Sequence, residues 1–137
     1  MAIELMCKYK IPASIVLAQG LLESGAGGSQ LAKEANNHFG IKCHSDWIGE
    51  CYFLSDEENG CFRKYEKVED SFEDYSSFLY KERYSSLFML DIRDYTGWAR
   101  KLQSCGYATD KFYADKLIKL IVDYKLYQFD EIEKSTE

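Results

Sequence analysis

The chain has 137 residues, 46% hydrophobic and 29% charged, with one proline; this length suits a single folded domain and this composition excludes a disordered or proline-rich chain. Seventeen basic residues against 23 acidic ones leave a net charge of -6, which argues against nucleic acid as a partner because backbone phosphates attract the opposite sign. The longest apolar runs, 15–22 and 117–122, fall well short of the roughly 20 residues that a membrane span requires.

Along the chain, Ile3, Met6 and Tyr9 recur at helical spacing and predict a short first helix that ends before Pro12, since the residue preceding a proline is pushed out of the α region. Pro12 opens a second helix whose stripe of Ile15, Ala18 and Leu22 is widened by Val16 and Leu17, so it is expected to be central and mostly buried. It stops at Ser24-Gly25, because the run Gly25-Ala26-Gly27-Gly28 continues a helix only at a cost. Ser29 is an N-cap for a third helix through Ala35, and Asn36-Asn37 ends it. From Phe39 to Tyr65 short aromatic bursts, Trp47, Tyr52-Phe53-Leu54 and Phe62-Arg63-Lys64-Tyr65, predict a small β-lobe or a long ordered loop.

Asp70 and Glu73 have the spacing of a capping box, for a helix carrying Phe72, Tyr75, Phe78 and Leu79 to about Glu82. Asp94 caps a further helix with Trp98, Ala99 and Leu102 that closes at Gly106. Thr109 is expected to cap the last, striped with Tyr113, Leu117, Leu120, Ile121 and Tyr124. The expected fold class is mainly α (α+β): one domain over 1–130 with a β-lobe at about 40–66, followed by a polar tail at 131–137. The first residues, Met1 to Cys7, have neither a basic segment nor a cleavage site, so no secretory signal is read there, and a trimmed chain or another export route is expected.

Five cysteines are present, Cys7, Cys43, Cys51, Cys61 and Cys105, and an odd number leaves at least one unpaired if disulfides form. Cys43, His44, Cys51 and Cys61 invite a zinc reading, but no C-x2-C pair exists and adjacent Cys and His are awkward ligands for a tetrahedral ion, so no metal or other cofactor is expected. A Cys43–Cys61 disulfide clamping the small lobe is expected instead, since a lobe with little core gains from a cross-link.

Glu23 stands out, a carboxylate closing an otherwise apolar helix just before a glycine-rich turn. It is either an ordinary solvated helix-end residue or a poised acid: a carboxyl buried among apolar neighbours keeps its proton to higher pH, which a general acid needs. The surrounding run, Ala18-Gln19-Gly20-Leu21-Leu22-Glu23-Ser24-Gly25-Ala26-Gly27-Gly28-Ser29 and then Asn36-Asn37-His38-Phe39-Gly40-Ile41-Lys42, resembles the bacterial N-acetylglucosaminidases of glycoside hydrolase family 73, as in autolysins and flagellar peptidoglycan hydrolases. Trp47-Ile48-Gly49, Cys61-Phe62-Arg63-Lys64-Tyr65, Asp74-Tyr75 to Phe78-Leu79, and Gly106-Tyr107-Ala108-Thr109-Asp110 with Tyr113-Ala114 continue the resemblance in order over about residues 10–127.

The resemblance implies a lysozyme-like helical domain with a β-lobe flanking the cleft, cleaving the β-1,4 bond between N-acetylglucosamine and N-acetylmuramic acid in peptidoglycan. It implies action on glycan strands at the cell wall, in the periplasm or outside the cell, by a monomer. Glu23 matches the family's proton donor. A second carboxylate usually serves as base or nucleophile; here the lobe is short, and Asp56 is favoured, with Glu57 and Glu58 as substitutes in the same acidic turn, while a solvated turn or a substrate-assisted route stays open. Tyr107 matches a cleft tyrosine, whose hydroxyl could steady developing charge or orient the acetamido group, with a core aromatic as the alternative. Asn36 and Asn37, natural helix stoppers, are implied to line the cleft as well. Phe39, then Trp47 and Trp98, could offer flat faces to sugar rings or serve as core. A lytic transglycosylase and a non-catalytic glycan-binding module are the alternative functions.

Overall fold

A computed structural model describes residues 2–25, 27–45, 47–53 and 61–131. Its elements, in order, are α1 (Ala2–Tyr9), α2 (Ala13–Ser24), α3 (Gln30–Ala35), β1 (Cys51–Phe53), β2 (Cys61–Arg63), α4 (Val68–Phe78), a 3-10 helix (Glu82–Met89), α5 (Tyr95–Ser104), α6 (Tyr113–Asp123) and a second 3-10 helix (Leu126–Glu131). The class is mainly α with one small antiparallel sheet, as expected. The chain divides into two compact units, one built from residues up to Gln19 and from Ser76 onward, the other from Gly20–Tyr75. Both boundaries fall inside helices, α2 and α4.

In the first unit α5 packs on α6, the 3-10 helix Glu82–Met89 packs on α5, and the last 3-10 helix packs on α6 and α1. The core is apolar and aromatic: Ile11, Ile15, Val16, Leu79, Tyr84, Leu87, Trp98, Leu102, Leu117 and Ile121 are all fully buried. α2 begins after Pro12, and its first amide groups are met by a residue from the far end of the chain. Ser14 N donates to Asp130 Oδ1 at 2.8 Å, and the Ser14 hydroxyl donates to the other carboxylate oxygen. Such an acceptor at a helix start satisfies orphan N–H groups and favours the dipole.

The predicted boundaries hold for α1 to α3: Ser29 Oγ accepts from Ala32 N at 3.0 Å, and Asn36 takes the left-handed conformation at the end of α3. Asp94 caps α5 as expected, accepting from Gly97 N at 3.0 Å. Three expectations are corrected. α4 starts at Val68, so Asp70 lies within its first turn, and it ends at Phe78 instead of near Glu82, giving way to the 3-10 helix. Thr109 does not cap α6: Asp110 Oδ1 accepts from Phe112 N at 2.9 Å, and Gln103 Oε1, from α5, accepts from Ala114 N at 2.8 Å. Of the expected tail, only Glu131 lies within the described residues, in the last 3-10 turn.

In the second unit the β1–β2 ladder pairs Cys51 with Arg63, Tyr52 with Phe62 and Phe53 with Cys61, and a bridge joins Lys42 to Phe62. The expected Cys43–Cys61 disulfide is present, with α-carbons 5.6 Å apart. Among the described residues no helix is long and apolar enough to cross a membrane.

Candidate active site

Glu23 occupies the last turn of α2, and the chain leaves the helix at once. Ser24, fully buried, donates from Oγ to Gly20 O at 2.5 Å and accepts from Gly27 N at 2.8 Å, while Ser29 N donates to Ser24 O at 3.0 Å. Gly25 and Gly27 lie at φ 59° and 85°, so the turn needs residues that lack a β-carbon. Glu23 itself is half-buried. Its Oε1 lies over the bare backbone of Gly40, 3.7 Å from where a β-carbon would stand, and Gly40 is held at φ +66°. The carboxyl of Glu23 and the loop 36–41 are therefore in register. His38 in the same loop sits beside Gly27, and burial holds its imidazole below the ordinary value, so it is neutral at neutral pH.

That loop is fastened by its asparagines. Asn37, 1% exposed, donates from Nδ2 to Ile41 O at 3.0 Å and to Arg63 O at 2.9 Å, and accepts at Oδ1 from Ile41 N at 3.2 Å. Asn36 donates to Tyr65 O at 2.9 Å. Behind them Asp74 of α4 joins two residues of the β2 run: Arg63 Nη1 donates to its Oδ2 at 2.9 Å and Tyr65 O–H donates to the same oxygen at 2.5 Å. Burial first, then the Asp74 carboxylate, push the Tyr65 phenol well above its ordinary value, so it is always the donor. The Arg63 guanidinium lies 4.8 Å over the half-buried ring of Trp47, which in turn meets Tyr65 edge-on at 5.6 Å. The separate motifs of the sequence thus meet in one cluster around the buried Asn37, Arg63 and Tyr65, which fastens the loop 36–41.

In the other unit, Tyr107 follows Gly106, which turns the chain at φ +82°. Arg83 from the 3-10 helix donates to Cys105 O and to Gly106 O at 3.1 Å each, capping the end of α5. Tyr107 is half-buried, its ring stacked on Tyr113 at 5.8 Å and near Tyr84 at 6.0 Å and Phe78 at 6.4 Å. Tyr113 in turn accepts from Gln19 Nε2 at 2.9 Å, within the same unit.

Several expected ligand contacts are corrected. Phe39 is 2% exposed, stacked on Tyr75 at 4.1 Å and edge-on to Phe72 at 4.9 Å, and it packs on Gly20; it is core and offers no face to a sugar. Trp98 is 0% exposed, edge-on to Phe88 at 5.5 Å, and is core as well. Asn37 spends its amide on the backbone and faces inward. Asn36 is half-buried and Trp47 is half-buried. Asp56, Glu57 and Glu58 lie outside the described residues. Residues that sequence reasoning passed over are Gly40, recognisable only as a glycine in the Asn-Asn-His-Phe-Gly run, and Asp74, noted as a motif position without a role.

The profile of the glucosaminidase family, described as mannosyl-glycoprotein endo-beta-N-acetylglucosaminidase, matches residues 1–126. The exo-glucosaminidase LytG of Bacillus subtilis is 34% identical over 93% of this chain and 49% of its own length. The peptidoglycan hydrolase FlgJ of Vibrio parahaemolyticus is 30% identical over 80% of this chain and 40% of its own length, so the chain spans about half or less of these curated relatives. Among solved structures, a peptidoglycan hydrolase of Sphingomonas sp. A1 aligns with TM-score 0.76 and 31% identity over 99% of this chain and 93% of that one. The glycoside hydrolase domain of FlgJ from Salmonella typhimurium aligns with TM-score 0.73 and 30% identity over 93% of this chain and 83% of that one, and the lysozyme-like fold expected from the sequence is shared with it. With a family profile spanning nearly all of the sequence and relatives above 30% identity, the chain belongs to the glucosaminidase family of glycoside hydrolases.

Proposed function

We propose that the chain is a peptidoglycan hydrolase that cleaves the β-1,4 bond between N-acetylglucosamine and N-acetylmuramic acid, with Glu23 as general acid. The observation that carries this reading is the seating of the Glu23 carboxyl on the bare backbone of Gly40, at the exit of an apolar helix, in a chain of this family. A half-buried carboxyl at the exit of an apolar helix is suited to hand its proton to the leaving glycosidic oxygen as the bond from the anomeric carbon breaks. Asp56, with Glu57 and Glu58 beside it, is the proposed base or nucleophile, and Tyr107 is proposed to steady the charge or orient the acetamido group. Asn36 is proposed to contact substrate from the same loop. The proposed catalytic domain is residues 1–130, acting as a monomer on glycan strands at the cell wall.

Glu23→Gln tests the reading directly, because the amide keeps the shape and loses the proton. General acid catalysis contributes about 10²- to 10⁴-fold, so clearing of purified peptidoglycan should fall by that order while circular dichroism is unchanged. Clearing within a few-fold of the parent would refute the assignment. Mass spectrometry of the parent's products should show N-acetylglucosamine at a hydrolysed reducing end; an anhydro end would indicate a transglycosylase, and no product at all a binding module.

A further inference from the structure

Three of the five cysteines converge in the small lobe of the second unit. Cys43 and Cys61 form the disulfide, and Cys51, the first residue of β1, carries an exposed free thiol. Cys51 Sγ lies 3.2 Å from Cys43 Sγ, and the three sulfurs all lie within 4.8 Å of one another. The sheet produces this meeting: Cys51 stands opposite Arg63, two positions along β2 from Cys61, while Cys43 N donates to Cys61 O at 2.9 Å.

We propose that Cys43, Cys51 and Cys61 form a thiol–disulfide exchange centre within the folded lobe. The Cys51 thiolate attacks Cys43 Sγ; a Cys51–Cys43 bond forms as the Cys43–Cys61 bond breaks, and the electron pair leaves on Cys61 Sγ. Cys61 takes up the proton that Cys51 gave up, so one disulfide and one thiol persist and no oxidant or reductant is consumed. The lobe stays cross-linked throughout, but the link shortens from a separation of 18 residues to one of 8, and the reactive thiol moves from β1 to β2. Exchange needs the attacking sulfur in contact with a disulfide sulfur and accessible to solvent, and Cys51 meets both conditions by its distance and its exposure.

The test uses the whole chain carrying Cys7→Ser and Cys105→Ser, which leaves the lobe cysteines alone. The oxidised protein is held without reductant at about pH 8, where thiolates form, then quenched in acid, alkylated with N-ethylmaleimide, digested with pepsin and mapped by mass spectrometry. Two species are expected, Cys43–Cys61 with alkylated Cys51 and Cys43–Cys51 with alkylated Cys61, and they should interconvert faster in native buffer than in urea. A further Cys61→Ser change should yield a Cys43–Cys51 disulfide on air oxidation. The proposal is overturned if Cys43–Cys61 is the sole linkage at all times in protein that circular dichroism shows to be folded, or if exchange occurs only in urea.

Discussion

Replacing Gly40 separates the two things that residue does, turning the chain and leaving room for the Glu23 carboxyl. At φ +66° an L-residue pays roughly 1–2 kcal/mol for the left-handed conformation. Alanine also narrows the unfolded ensemble, which offsets about 0.4–1 kcal/mol, so Gly40→Ala should cost about 1 kcal/mol net. At roughly 3–5 °C per kcal/mol for a chain of this size, the thermal midpoint should fall by about 3–5 °C. The added methyl would stand 3.7 Å from Glu23 Oε1, ordinary contact distance, so the carboxyl keeps its place and clearing activity below the transition should stay within about threefold of the parent. Gly40→Val is different: its branch carbons reach about 1.5 Å beyond that methyl and close the gap, so the carboxyl must move and activity should fall at least about tenfold. Differential scanning calorimetry and turbidity clearing, both at temperatures where each variant is folded, supply the two readouts. An unchanged midpoint for Gly40→Ala would refute the conformational argument, and parental activity in folded Gly40→Val would refute the seating of Glu23.

Asn37→Asp keeps the shape but replaces two donated hydrogen bonds, to Ile41 O and Arg63 O, by repulsion, and should cost about 2–4 kcal/mol in urea denaturation. Asp130 is held above the usual carboxylate range by burial, with the Ser14 and Ala13 donors pulling the other way. Its folded value therefore exceeds its unfolded one, and its contribution to stability, full at low pH, is lost as pH rises through that raised value. Asp130→Asn cannot titrate, so its stability relative to the parent should improve between acid and neutral pH; a constant difference in urea midpoints would refute this. Single Ala replacements at Asp56, Glu57 and Glu58 should leave one variant down by orders of magnitude in clearing; full activity in the triple variant would move the mechanism to a substrate-assisted route, in which Tyr107→Phe should then lower kcat.

Helix boundaries were readable where the signal is local. Pro12, the Ser24-Gly25 break, Ser29, Asn36 and Asp94 each act on backbone groups within five residues, and each stands where its type predicts. The misread start of α6 depends on a remote partner, Gln103 of α5, which accepts from Ala114 N. Even α2, whose start Pro12 marks correctly, has its first amide met by Asp130, more than a hundred residues away in sequence. The 3-10 helix Glu82–Met89 has its Tyr84 and Leu87 buried and its Arg83 on the carbonyls ending α5, so tertiary contacts select it over a continued α4.

The same division explains the site. Glu23 was conspicuous because a charged residue interrupted an apolar stripe, a contrast that sequence displays directly. The aromatics gave no such contrast: Phe39, Trp98 and Trp47 are chemically equal candidates for a sugar face, and only burial ranks them, removing Phe39 and Trp98. Asn37 misled for a related reason, since a side chain with two donors and an acceptor serves a ligand and an inward-facing loop equally well. The loop beside Glu23 is fixed by neighbours spread from Gly40 to Asp74: glycine supplies space, Asn37 ties the loop to Arg63 O, and Arg63 and Tyr65 share one carboxylate. Asp74 bears on the loop beside the candidate acid through Arg63 and Tyr65, the two donors that share its Oδ2.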